Sequence, residues 1–151
     1  MVLGAAPARK NRSRRKIRPM SPDEKEWRAG VSEWQRNERD WKAVVAKYPI
    51  LLPSWFEGNW IKEERTYEIE AFAISRIWLD SVARIPNIDR LYSAYMWVHR
   101  AEDYLSDHRN YRIRKIPARA IIAAVLSAGD IPIELGMDEH TTYFGLSVVP
   151  D

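Results

Sequence analysis

The sequence predicts a mainly α protein: a small bundle of three to four helices behind a disordered N-terminal basic arm, with a short C-terminal β-hairpin or an irregular tail both left open. Three observations lead there. Apolar residues recur at three- and four-residue spacing over long stretches between residues 21 and 128, as in helices with one buried face. Pro49, Pro86 and Gly129 punctuate that pattern at its breaks. Residues 1–20 hold almost nothing to bury, so they cannot offset the entropy of ordering and are expected to be flexible. The expected organisation is an arm over 1–20 and one domain over 21–151.

The first helix is announced by Ser21-Pro22-Asp23-Glu24. Ser21 suits the N-cap, Pro22 the first helical position, and Glu24 the third position of a capping box. The two acids also suit the positive end of the helix dipole. The helix should run to about Lys47, where Pro49 stops it. Trp27, Trp34, Trp41 and Tyr48 recur at intervals of seven, with Val31 and Val45 beside them, so one face carries an aromatic ridge and the opposite face is charged.

Residues 49–60 form an apolar loop bracketed by prolines, and its aromatics should fold back on the helices. A second helix is expected over about Glu63 to Arg84, ended by Pro86, with Tyr67, Ala71, Ile74, Trp78 and Val82 on one face. A third should begin near Asn87 or Ile88 and run to about His108, using Leu91, Tyr95, Val98, Ala101 and Leu105. Tyr111 to Ile116 alternates loosely and reads as a strand or an extended connector. Pro117 opens a short helix that Gly129 closes near Ala128. Ile131 to Leu135 and Thr142 to Val149 are short and β-leaning.

Composition excludes several chemistries. The 151 residues include seven Trp and no Cys, so disulfides, thiolate catalysis and Cys-ligated zinc are ruled out, and a reducing compartment fits. The longest apolar run, Ala120 to Leu126, is far shorter than the roughly 18 residues of a membrane span. No secretory h-region opens the chain. An intracellular, cytoplasmic protein is expected, nucleoid or nuclear if it binds DNA. There is no phosphate-binding glycine loop, dinucleotide fingerprint or nucleophile elbow, so no enzyme activity and no cofactor are expected.

The net charge of +3 conceals an asymmetry. Arg9, Lys10, Arg12, Arg14, Arg15, Lys16 and Arg18 contribute +7 within residues 1–18, without an acid; residues 19–151 hold 17 basic and 21 acidic residues and are net −4. Such an arm can neutralise phosphates and release counterions; a localisation signal, an organellar presequence or an acidic protein partner would suit it too. A second basic stretch comprises Arg109, Arg112, Arg114, Lys115 and Arg119, with Tyr111 placed to stack on a base. If it lay beside the arm the two would form one phosphate-binding face, with a short basic helix and hairpin in the order of a winged helix. The plainer expectation is that these arginines pair with the acids of 130–139.

Two further groups draw notice. Trp27, Trp34 and Trp41 could bind a protein partner or a second copy, or simply face the core. His99, Glu102, Asp103, Asp107 and His108 share a helix, but their spacing matches no zinc or di-iron pattern, and ordinary surface pairs with Arg100 and Arg109 account for them. No metal is expected, and His140 is assigned nothing. The expected function is nucleic-acid-associated binding, to DNA or RNA, through the arm and the 109–119 cluster. The alternative is a helical adaptor or small subunit of a larger assembly, docking through the aromatic ridge.

Overall fold

The computed structural model of this chain describes residues 19–52, 62–108 and 115–147. It divides into two units, Met1–Gln35 and Arg36–Asp151. Helix α1 (Pro22–Lys47) begins in the first and ends in the second.

In the first unit, the start of α1 follows from its cap. The Ser21 hydroxyl accepts the Glu24 N–H at 3.2 Å, and the Ser21 carbonyl accepts the Lys25 N–H at 3.0 Å. Asp23 and Glu24 occupy the first turn, where they oppose the positive dipole end. Every residue from 19 to 30 is exposed, and between 31 and 35 only Val31 and Trp34 are half-buried.

In the second unit, the rest of α1 buries Asn37, Trp41 and Val44. A 3₁₀ turn, Pro49–Leu51, follows. Then come α2 (Lys62–Leu79), β1 (Arg84–Ser93), α3 (Ala94–His108), α4 (Ala118–Ala128), β2 (Ile133–Glu134) and β3 (Tyr143–Leu146). The fold class is as the sequence predicts, mainly helical, and the C-terminal β element is real. The three strands form one antiparallel sheet in the order β1-β3-β2, with β3 in the centre.

α4 is the hub. Seven of its eleven residues are buried, so it is apolar nearly all round, as a helix enclosed by its neighbours must be. α2 packs against it, and Ile69 and Phe72 of α2, like Ile121 and Val125 of α4, are wholly or almost wholly buried. Burial of each such large side chain contributes about 1.5–3 kcal/mol. Trp78 and Trp97 meet at 5.8 Å between ring centroids and Tyr92 sets its edge to Trp97 at 5.4 Å. Gly129 ends α4 in the left-handed region at φ 77°, a backbone state that glycine adopts without a Cβ penalty.

Two expected boundaries are corrected. The second helix stops at Leu79 rather than near Arg84. Its last turn tightens through bonds from Ser81 N–H to the Trp78 carbonyl and from Val82 N–H to the Leu79 carbonyl, and the Ser81 hydroxyl takes the Trp78 carbonyl at 2.6 Å. That local bonding competes with helix continuation. The third helix begins at Ala94, and the residues before it, Arg84–Ser93, are strand β1. Ile88, Leu91 and Tyr95 fit a helical stripe, yet Leu91 is 63% exposed. β3 supplies a ladder for this segment, and tertiary pairing overrides the local pattern. The pairing is bulged: β1 advances from 84 to 89 while β3 passes from 146 to 144. Pro86 sits in an edge strand, where a missing N–H is tolerated.

Gly145 shows how closely the sheet is packed. A Cβ there would meet the Ile85 carbonyl oxygen at 2.7 Å and Pro132 Cδ at 2.8 Å. Only glycine lets β3 pass between them.

Candidate functional site

The basic arm, Arg9, Lys10, Arg12, Arg14, Arg15, Lys16 and Arg18, lies outside the described residues, as do Arg109, Tyr111, Arg112 and Arg114. The apolar loop beyond Leu52 does too. Two members of the second cluster are described. Lys115 is exposed, and its carbonyl accepts the Tyr67 hydroxyl at 3.0 Å. Arg119, in the first turn of α4, turns inward: its Nε donates to Glu68 Oε1 at 2.8 Å, and a terminal nitrogen donates to the same oxygen. Its carboxylate partner is on α2, not among the acids of 130–139. The Glu68 side chain is only 4% exposed, so this is a buried charge held by its counter-ion. Tyr67, beside this pair, has its phenol pushed above the usual value, first by burial and then by the Glu68 charge.

Other arginines of the second unit also face carboxylates, part-buried or at the surface. Arg76 bridges Asn37 Oδ1 at 3.0 Å and Asp40 Oδ2 at 2.9 Å, tying α1 to α2. Arg84 pairs with Asp130 at 3.3 Å, and Arg90 with Glu134. Arg100 lies over the Tyr92 and Trp97 rings and donates to the Tyr92 hydroxyl at 2.9 Å. It therefore pairs with aromatics rather than with the acids of its own helix.

The histidine–carboxylate group on α3 is dispersed. His99 Nδ1 stands 3.8 Å from Glu102, whose other oxygen accepts the Ile116 N–H at 3.2 Å. Asp103 and Asp107 are exposed, and the side chain of His108 lies outside the described residues. Among the described residues no group of three His, Asp or Glu side chains could hold a metal ion. His140, unassigned from the sequence, stacks on Tyr95 at 4.7 Å between centroids, while His99 meets the same ring edge-on at 4.9 Å. Only the fold brings them together; no sequence spacing signals a contact between α3 and the β2–β3 loop.

That loop is built on Asp138. One oxygen accepts the N–H groups of His140 and Thr141 at 2.9 and 3.0 Å and the Thr141 hydroxyl at 3.1 Å. These bonds hold its carboxyl below the usual value, the Thr141 hydroxyl contributing most. A depressed folded-state pKa means that the stabilisation is complete above the ordinary carboxylate range and is lost as pH falls through the folded value. The His140 and Thr141 amides should therefore keep their hydrogen-exchange protection at about pH 5 and through the ordinary carboxylate range, and lose it only in stronger acid, while Asp138→Ala should remove it at every pH.

A groove of about 580 Å³ opens between the 3₁₀ turn, the start of α4 and this loop, lined by Ile50, Leu52, Arg119, Ile122, Met137 and His140 among others. It has the volume of a small-molecule cleft, but its one arginine already pairs with Glu68.

The tryptophan ridge has two characters. Trp41 is 7% exposed and belongs to the core of the second unit; Trp27, in the first, is 70% exposed, and Trp34 is half-buried. Among the described residues no helix is long and apolar enough to cross a membrane. Comparisons with protein families, with curated proteins and with solved structures found no match to this chain.

Proposed function

We propose that this chain is a nucleic-acid-associated binding protein, without a reaction of its own, whose phosphate contacts come from the arm and not from the folded body. The supporting observation is that several arginines of the folded body are already engaged. Arg76, Arg84, Arg90 and Arg119 each face a carboxylate, so each could bind phosphate only by giving up a partner. The arm carries seven cations and no acid. Its affinity would be salt-dependent and tolerant of sequence, since phosphate contacts carry no base information. The net acidity of the remainder would keep the body off the polyanion.

The test is a salt titration of binding to duplex DNA, single-stranded DNA and RNA. It compares the full chain with a full-length variant in which the seven arm cations become glutamine. The full chain should show a slope of log K on log salt of several units, at about 0.9 per neutralised duplex phosphate, and the variant should approach zero. An unchanged slope sinks the reading.

A second reading, a helical adaptor docking through the aromatic ridge, is favoured by the exposure of Trp27, a side chain costly to leave in water. The two are compatible, since they use different segments.

A further inference from the structure

We draw no further inference here: the strongest candidate, the groove between the 3₁₀ turn, the start of α4 and the β2–β3 loop, carries nothing, because its arginine is already held by Glu68 and nothing in the structure shows what covers its exposed apolar lining, Ile50 and Met137.

Discussion

Phe144→Ala should cost about 3–5 kcal/mol of unfolding free energy, among the largest losses any single truncation here would cause. Phe144 has no exposed surface and lies on β3, the central strand, opposite Asp89 of β1 and Ile133 of β2. Removing the ring takes away its transfer free energy and leaves a cavity. The surroundings cannot close it, because Gly145 next along the strand is already hemmed in by Ile85 and Pro132, so β3 has no room to shift. For a domain of this size the loss corresponds to a fall in melting temperature of roughly 10–20 °C, readable by circular dichroism. A fall of under about 3 °C would show that the sheet is not integral to the folded unit.

The second large effect should come from Arg119→Met, at about 3–5 kcal/mol. The substitution keeps most of the aliphatic bulk but leaves the Glu68 carboxylate, 4% exposed, without its counter-ion. The reciprocal change Glu68→Gln should cost less, about 1–2 kcal/mol, because the Arg119 side chain is 33% exposed and can turn to water. The double variant Glu68→Gln with Arg119→Met should recover part of the loss, since breaking a buried pair on one side is worse than replacing both partners. Chemical denaturation of the three variants measures this. Equal costs for the two single changes would mean that Glu68 is better solvated than its burial implies.

Much of the fold was legible in the sequence, for identifiable reasons. The limits of α1 rest on local chemistry, a serine cap at one end and Pro49 beyond the other, and so does the closure of α4 at Gly129. The β-leaning character of residues 131–135 and 142–149 was equally local. Strand β1 was not legible, because its identity depends on a partner fifty or more residues away. Ile88, Leu91 and Tyr95 satisfy a helical template as well as any residues in the chain. The inward turn of Arg119 was hidden likewise, since nothing in a run of basic residues says which of them has a buried glutamate waiting on another helix. Of the second basic cluster, the described part contributes one exposed lysine, Lys115, and one arginine, Arg119, engaged by a buried carboxylate.

The first turn of α3 carries a consequence for the order of events during synthesis. Ala94 and Tyr95 donate their N–H groups to the carbonyls of Thr142 and Glu139, at 2.8 and 3.1 Å. Those acceptors emerge from the ribosome 48 and 44 residues later, and the β1–β3 ladder waits for β3 just beyond them. Until then the nascent chain holds α1, α2 and most of α3 with an unfinished helix start and an unpaired strand. Contacts of such long sequence separation close slowly. An interrupted translation product ending before residue 138 should thus be collapsed yet uncapped, and a ready substrate for chaperones or proteases.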